Sequence, residues 1–462
     1  MPTLTLPTLL PGVRLREVPP RLPEVAESEV VRHYTRLSQL NYSVDTGFYP
    51  LGSCTMKHNP KLNDEMAAVP GFARLHPYQA EEDVQGVLRL MYELEQALLA
   101  ITGLRRATLQ PAAGAHGELA GILMIKAYHR DHAGAQRDTV VIPDSAHGTN
   151  LASAAMAGYR VVELPSSPRG LIDIATLRRN LSERTAAIML TNPNTLGLFE
   201  DDILEISDLA HRAGALCYYD GANLNAIMGK ARPGDMGMDV VHVNLHKTFS
   251  TPHGGGGPGA GPVAVGPELE PYLPLPLMHR SKEGVYTLDY DRPHSIGRMK
   301  GFYGNVGVMV RAFTYILRMG ADGLTQASED AVLNANYLRA RLRQLYPVPF
   351  DRVCMHEFVI TAAELAAQGG SALNIAKRIL DFGMHSPTIY FPLVVQEALM
   401  IEPTETEDIR TLDAFVDVME QIGREILKDP ELVRTAPHST PVRRPDEVNA
   451  ARNPVLRWSP RA

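Results

Sequence analysis

The chain reads Asn244-Leu245-His246-Lys247-Thr248-Phe249-Ser250-Thr251-Pro252-His253 where a predicted strand ends, and the glycine run 254–257 follows at once. The residues before it, 238–243, are β-branched and apolar enough for a buried strand. Lys247 is therefore predicted to lie where a strand gives way to an open, glycine-rich loop. An amine at such a place loses hydration, which favours its neutral, nucleophilic form. A Schiff-base lysine needs that form, and a surface lysine beside a flexible turn is the plain alternative.

Predicted strands and helices alternate around this stretch. Short apolar patterns typical of strands occupy 138–142, 160–164, 185–190, 215–219 and 239–244. Helical patterns of about 10–15 residues separate several of them. This alternation indicates an α/β fold with a mainly parallel sheet and helices on both faces. Residues 261–265 follow as a strand that can return antiparallel.

The chain divides into four predicted parts. An extended, proline-rich N-terminal segment covers 1–75 and contains one short helix near 27–40. A large α/β domain covers 76–340, and a smaller C-terminal α/β domain covers 341–435. A tail rich in proline and arginine covers 436–462.

Composition excludes several classes of protein. The 462 residues are 45% apolar and 21% charged, which is ordinary for a globular protein, and the net charge of −7 gives no reason to expect nucleic-acid binding. No apolar run is long enough for a membrane span, and the start carries no basic signal region. The three cysteines are far apart in sequence and form no CxxC pair, so we expect neither a disulfide framework nor a metal site. These features predict a soluble, cytoplasmic protein.

Polar or small residues follow several of the predicted strands. In open parallel sheets, ligands bind beyond the carboxyl ends of the strands. Asp220 follows one strand, Thr191 and Asn192 follow another, and His147 lies in the loop after a third. The small residues 113–115 open a helix whose first backbone N–H groups can bind an anion such as phosphate.

Together these residues suit pyridoxal phosphate. Lys247 would form the Schiff base, and Asp220 would keep the pyridine nitrogen protonated so that the ring accepts electrons. His147 could stack on the ring, a loop Asn could bind the ring hydroxyl, and Gly114 lies at the phosphate seat. Taken singly, each has an ordinary explanation as a loop acid, a loop histidine or a turn glycine. Their order on successive strand–helix units favours the cofactor site, and no dinucleotide or P-loop motif competes.

Four strings of sequence carry a resemblance to a known family. They are YPLGSCTMK at 49–57, TNPNTLGLFE at 191–200, NLHKTF with PHGGGGPG within 244–259, and MIEPTETE at 400–407. The chain resembles the glycine dehydrogenase (decarboxylating) P-protein family of the glycine cleavage system from about residue 40 to 430. Members of that family are fold-type I pyridoxal-phosphate enzymes, so the resemblance implies that fold here.

The resemblance implies a reaction and partners. The expected enzyme binds the glycine amine as an aldimine, releases CO2 and transfers the aminomethyl group to the lipoyl group of H-protein. Many members are single chains about twice this long, and this chain resembles their lysine-bearing half. That implies the second subunit of a two-subunit bacterial form, with subunit 1 as partner in an α2β2 heterotetramer.

Site roles follow from the resemblance by position. Lys247 is expected to hold the cofactor, Asp220 to face the pyridine nitrogen, and His147 to stack on the ring. Further expected neighbours of the cofactor are Ala222 beneath the ring, Ala113, Gly114 and Ala115 near the phosphate, and Thr191, Asn192 and His246. His246 is also a candidate for proton transfer. Where many relatives have Ser-Gly-Ala, this chain has Ala-Gly-Ala at 113–115, so one hydroxyl is missing from the phosphate loop.

Other functions stay open at this point. Another fold-type I enzyme is possible, such as an aminotransferase, for which Arg298 could bind a substrate carboxylate. A cysteine desulfurase would need a mobile-loop cysteine, and neither Cys54 nor Cys217 suits that position. A non-catalytic scaffold subunit is the third alternative.

Overall fold

The computed structural model describes residues 12, 18, 22–132, 136–253 and 259–457. The chain forms two compact units, one of residues 43–440 and one of 1–42 with 441–462. In the second unit the described helices are Glu27–Ser38, which confirms the short N-terminal helix, and Glu447–Arg452. Within the described residues, no helix combines the length and apolarity that a bilayer crossing requires.

A seven-stranded sheet forms the centre of unit 43–440. Its strands are β1 Arg106–Thr108, β2 Thr139–Pro143, β3 Arg160–Leu164, β4 Thr185–Thr191, β5 Leu216–Gly221, β6 Val240–Val243 and β7 Val263–Val265. They lie in the order β1, β7, β6, β5, β4, β2, β3. Strand β7 pairs antiparallel with both neighbours, and the pairs from β6 to β3 are parallel. The predicted mainly parallel sheet and its antiparallel return strand are confirmed.

The sheet is buried on both faces, which explains the nearly continuous apolar runs of its strands. Because side chains alternate along a strand, neighbouring residues enter different cores. Tyr219 and Val241 join one core cluster, whereas Tyr218 and Val240 join the other. Burial of both faces therefore fixes which side each residue of β5 and β6 takes.

Helices and short strands complete this unit. The helices are α1 Lys61–Ala68, α2 Pro70–Ala73, α3 Gln85–Thr102, α4 Gly114–His132, α5 Gly148–Met156, α6 Ile174–Asn180, α7 Ile203–Arg212, α8 Val306–Leu342, α9 Ala363–Ala366, α10 Ala372–Ile379, α11 Ile409–Lys428 and α12 Pro430–Arg434. Helix α4 packs closely on the sheet because Gly121 has no side chain. A Cβ there would lie 2.3 Å from the Tyr218 ring.

Two small sheets lie later in the chain. Strands β8 Leu277–Arg280 and β9 Tyr286–Asp289 form an antiparallel pair, and β10 Phe358–Thr361, β11 Thr388–Ile389 and β12 Ala398–Ile401 form a three-stranded antiparallel sheet. Helix α8 has a break in helical geometry at Gly320. The division at residues 75, 340 and 435 stays a prediction. The glycine run 254–257 lies outside the described residues.

Candidate active site

Strands β2, β4, β5 and β6 run parallel, so their carboxyl ends lie at one edge of the sheet. The loop and helix start after β2 meet the ends of β4 and β5 there through side-chain contacts. The backbone N–H of His147 donates to Thr191 Oγ1 at 3.0 Å, and Asn150 Nδ2 donates to Asp220 Oδ2 at 2.9 Å. We call His147, Asn150, Thr191 and Asp220 the strand-end cluster.

Asp220 is a buried acid with several donors. Its Oδ2 accepts from His147 Nδ1 at 2.8 Å, and its Oδ1 accepts from the Ala222 N–H at 3.0 Å and lies 3.2 Å from His242 Nε2. Burial alone would raise the pKa of Asp220, but the two histidines and the hydrogen bonds hold it below its ordinary value. The group is therefore a carboxylate at neutral pH.

An ionised Asp220 decides the protonation of both histidines. Because a carboxylate only accepts, His147 carries a proton on Nδ1 and His242 carries one on Nε2. The second nitrogen of His147 hydrogen-bonds to the Ser53 hydroxyl, and that of His242 hydrogen-bonds to Tyr218 OH at 2.9 Å. Ser53 and Tyr218 thus orient the two imidazoles that contact the acid directly.

Lys247 lies four residues beyond β6 in a turn and is half-buried. Its Nζ donates to the Ser53 carbonyl at 2.7 Å. Since Ser53 also contacts His147, one residue links the amine to the strand-end cluster. The structure thus places Lys247, His147 and Asp220 in one connected group of contacts.

A second lysine ties down the same turn. Lys57 is buried, and its Nζ donates to the Thr248 carbonyl at 2.8 Å, to Asn225 Oδ1 at 2.9 Å and to Glu405 Oε1 at 2.7 Å. Burial alone would lower the pKa of Lys57, but Glu405 raises it above its ordinary value, so the side chain stays charged. The residue next to Lys247 is therefore held by a buried ion pair.

The loop before α4 forms a narrow cradle. Gly114 begins the helix, and a Cβ there would lie 2.4 Å from Asn244 Oδ1. On the other side, a Cβ at Gly261 would lie 2.1 Å from the Ala113 carbonyl oxygen. Asn244 Oδ1 is buried and has no hydrogen-bond partner among the described residues. Close packing thus requires glycine at 114, and the start of α4 also suits an anion.

Two histidines lie near the lysine. Burial lowers the pKa of His246 to about 3 and that of His253 to about 4, with the Lys247 charge adding to both. His246 Nδ1 accepts from the Ala260 N–H at 3.2 Å, so its proton lies on Nε2. A neutral imidazole of this kind donates a hydrogen bond but is a weak base.

Asn192 is placed differently from the other candidates. Its Oδ1 accepts from the Glu200 N–H at 3.1 Å, and its Nδ2 has no partner among the described residues. The side chain therefore braces the loop after β4 and does not contact Asp220 or Lys247 in any hydrogen bond described. Ala222 is buried beside Asp220, to which its N–H donates.

Sequence reasoning missed Ser53, Lys57, Asn150 and His242. It also missed two buried acids, Glu357 and Glu402, that accept from the N–H groups of residues 53–55. His242 and Asn150 lie on elements that were predicted, but nothing in the local pattern marks a buried strand histidine as a partner of Asp220. Ser53 and Lys57 lie in one of the family strings, and that string was the available signal.

The residues present fit pyridoxal phosphate. The site offers a primary amine, a buried carboxylate with several donors, an imidazole beside it, and a small-residue loop at a helix start. The unpartnered, buried Asn244 Oδ1 faces that loop and is consistent with a polar ligand group there.

Solved structures with the same fold define the class. A crystal structure of glycine decarboxylase (P-protein) of the glycine cleavage system aligns with TM-score 0.73 and 21% identity, over 90% of this chain and 93% of that one. A cysteine desulfurase from Thermococcus onnurineus NA1 aligns with TM-score 0.63 and 16% identity, over 82% and 95%. The chain thus has the fold of fold-type I pyridoxal-phosphate enzymes.

Sequence comparison then identifies the family. The family described as "Glycine cleavage system P-protein" matches residues 9–291, and "Glycine dehydrogenase, C-terminal domain" matches 327–439. A probable glycine dehydrogenase (decarboxylating) subunit 2 of Caldanaerobacter subterraneus subsp. tengcongensis is 61% identical over 98% of this chain and 93% of its own length. One from Bacillus velezensis is 57% identical over 99% and 93%.

The chain belongs to the glycine cleavage system P-protein family. The activity of that family is pyridoxal-phosphate-dependent decarboxylation of glycine.

Proposed function

We propose that Lys247 is the cofactor lysine and that Asp220 and His147 are its principal partners in glycine decarboxylation. The observation that carries this proposal is the Ser53 bridge, through which the Lys247 amine shares one hydrogen-bonded group with Asp220 and His147. Bound pyridoxal phosphate supplies an aldehyde for the amine and a pyridine ring that accepts the electrons left when CO2 departs.

The protein's own residues supply placement and charge. Asp220 offers a fixed negative charge to the ring nitrogen, and its donors hold that charge in place without reorganisation. The backbone N–H groups at 113–115 would hold the phosphate, with Ala222, Thr191 and Asn192 lining or bracing the site. Because Ala113 replaces a hydroxyl residue, backbone groups carry more of the phosphate binding.

His246 is proposed as a hydrogen-bond donor near the lysine. Its low pKa makes it a poor proton acceptor at neutral pH. Its Nε2–H can still donate to a substrate or carrier group.

The proposal extends to partners and location. Curated relatives that match this chain over nearly its full length are named subunit 2, which supports a partner subunit 1. We propose an α2β2 heterotetramer that transfers the aminomethyl group to the lipoyl group of H-protein in the cytoplasm. We also keep the four-part division at residues 75, 340 and 435 as part of this proposal.

The cysteines argue against a desulfurase. That reaction needs a thiolate nucleophile, and burial raises the pKa of Cys54, Cys217 and Cys354 alike. Burial raises the pKa of Cys354 to about 12. The P-protein reaction needs no thiolate on this chain.

Borohydride reduction of the chain co-purified with subunit 1 tests the proposal. We expect a pyridoxyl adduct on the peptide that contains Lys247, and exchange of labelled bicarbonate into glycine when H-protein is present. Keto-acid formation without exchange would support an aminotransferase instead. A colourless protein with no adduct would support the scaffold reading.

A further inference from the structure

The turn at residues 53–55 has an unusual backbone. Ser53 has φ 63° and Thr55 has φ 48°, both in the left-handed region that favours glycine. Each such residue costs about 1–3 kcal/mol and persists only where its surroundings impose the conformation. The turn lies far from the sheet in sequence, yet it contacts Lys247 and His147. Contacts from other parts of the chain must therefore hold the turn in this conformation.

Two buried acids hold this turn. Glu357 Oε2 accepts from the Ser53 N–H at 2.6 Å. Glu402 Oε2 accepts from the Thr55 N–H at 2.8 Å and the Cys54 N–H at 3.2 Å, and its Oε1 accepts from the Thr55 hydroxyl at 2.5 Å. Both acids have no exposed surface. We call residues 53–55 with Glu357 and Glu402 the acid-held turn.

The charge state of the acids suits this task. Oxygens of Glu357 and Glu402 lie within 4.8 Å of each other, and burial followed by that proximity raises the pKa of Glu357 well above its ordinary value. Burial also raises the pKa of Glu402. Nearby His356 stays neutral because burial lowers its pKa to about 3. Burial thus favours the neutral form of Glu357, and a glutamine at this position can accept from the Ser53 N–H in the same way.

The turn presents two groups of Ser53 to the site. The carbonyl accepts from Lys247 Nζ at 2.7 Å, and the hydroxyl donates to His147 Nε2. The first contact fixes a long, flexible amine. The second orients the His147 ring so that its Nδ1 faces Asp220 Oδ2 at 2.8 Å.

We propose that Ser53 is a catalytic residue that joins the Lys247 amine to the His147–Asp220 pair, and that Glu357 and Glu402 are positioning residues that fix its place. The inference rests on the proposed role of Lys247. The family string at 49–57 then has a role at the site, because its Ser53 sets the spacing between Lys247 and Asp220.

Ser53→Ala in the full-length chain loaded with pyridoxal phosphate is the main test, with Ser207→Ala as the matched control. Ser207 is a buried serine whose hydroxyl donates to the Leu204 carbonyl at 3.0 Å, away from the site. Alanine at position 53 removes the bond to His147 and keeps the backbone. We expect cofactor binding about tenfold weaker, since one hydrogen bond is lost. The pH titration of the cofactor's visible absorption should also move by about half a unit or more, whereas Ser207→Ala changes neither.

A second pair of variants tests the positioning acids. Glu357→Leu removes the acceptor of the Ser53 N–H, and we expect cofactor affinity to fall about tenfold or more. Glu357→Gln keeps a neutral acceptor and should restore affinity to within about twofold. Should the leucine variant fail to fold, Ser53→Ala decides alone.

The outcomes separate the two claims. Wild-type chain without a borohydride adduct on Lys247 would remove the proposed function and this inference with it. An adduct on Lys247 in wild type, together with unchanged affinity and an unchanged absorption titration in Ser53→Ala, would overturn the inference alone.

Discussion

The strand-end cluster and the acid-held turn do comparable work at one site but are built differently. In the cluster, His147 and Asp220 are 73 residues apart; His147 follows β2, and Asp220 lies near the end of β5 in the same sheet. In the turn, Ser53 and Glu357 are 304 residues apart, and the segment before the turn meets strand β12 through an isolated bridge between Leu51 and Ile401. The first region follows from the topology of the sheet. The second depends on distant segments packing together, and the buried carboxyl groups of Glu357 and Glu402 accept from the N–H groups of residues 53–55.

Lys247 lies between the two regions, and its loss should have the largest effect. Lys247→Ala removes the amine that the proposed chemistry needs, and we expect glycine decarboxylation to fall more than about a thousandfold, or about 4 kcal/mol in activation free energy. Bicarbonate exchange measures the loss. Lys230→Ala, at an exposed ion pair with Glu329, is the control and should exchange normally. An active Lys247→Ala enzyme would remove the link between the regions.

Lys57→Met tests how firmly the distant segments are held. The ammonium is 1% exposed and its partner Glu405 is 8% exposed, so removing it leaves a buried, unpaired carboxylate. We expect the free energy of unfolding to fall by about 3–5 kcal/mol, measured by chemical denaturation. Lys230→Met breaks an exposed pair and should change it by less than about 1 kcal/mol. Equal, small losses in both variants would show that the distant segments do not depend on the buried pair.

Asp220→Asn tests the strand-end cluster itself. The amide cannot offer the fixed negative charge that His147 and His242 now face, so decarboxylation should slow by about 10²–10³-fold with cofactor still bound. The loss is expected in kcat rather than in KM. Asp235→Asn, at an exposed acid paired with Arg232, should leave both unchanged. Near-normal turnover in Asp220→Asn would show that the cluster's charge is not used.

The difference between the regions also explains what could be predicted from sequence. Strand patterns and the rule for parallel sheets placed Asp220, His147 and Thr191 at one edge, and the structure brings them together. The same rule could not reach Ser53, whose site contacts depend on a left-handed backbone and on acids from residues 357 and 402. Nor could it show that Asn192 faces Glu200, because the path of a loop is set by packing. Long-range polar contacts between segments have no local periodicity.

Glu200→Gln probes a buried acid in the loop after β4. Burial raises the pKa of Glu200 to about 7, and its carboxyl accepts from the Ile172 N–H. Because the folded-state pKa is raised, the carboxyl contributes stability below about pH 4.5 that is lost as pH rises through 7. Glutamine does not titrate. Its stability relative to wild type should therefore rise across that window by roughly 3 kcal/mol.

Unfolding measured at several pH values checks this difference. Glu183→Gln, at an exposed position, should give a flat difference from wild type over the same range. A flat difference for Glu200→Gln would mean that this acid is ionised at little cost, unlike Glu357 in the acid-held turn.

Ala113→Ser should give the smallest effect and bears on the missing hydroxyl. The alanine is exposed at the start of α4, and its carbonyl accepts from the Gly117 N–H at 3.0 Å, so a serine fits without disturbing the helix. If backbone groups hold the phosphate alone, a new hydroxyl should tighten pyridoxal-phosphate binding by about 1 kcal/mol, or roughly fivefold. Ala115→Gly is the control, since it changes the same loop without adding a hydrogen-bond donor. Unchanged affinity in Ala113→Ser would place the phosphate beyond the reach of this loop. The loop at 113–115 would then not belong to the cofactor site.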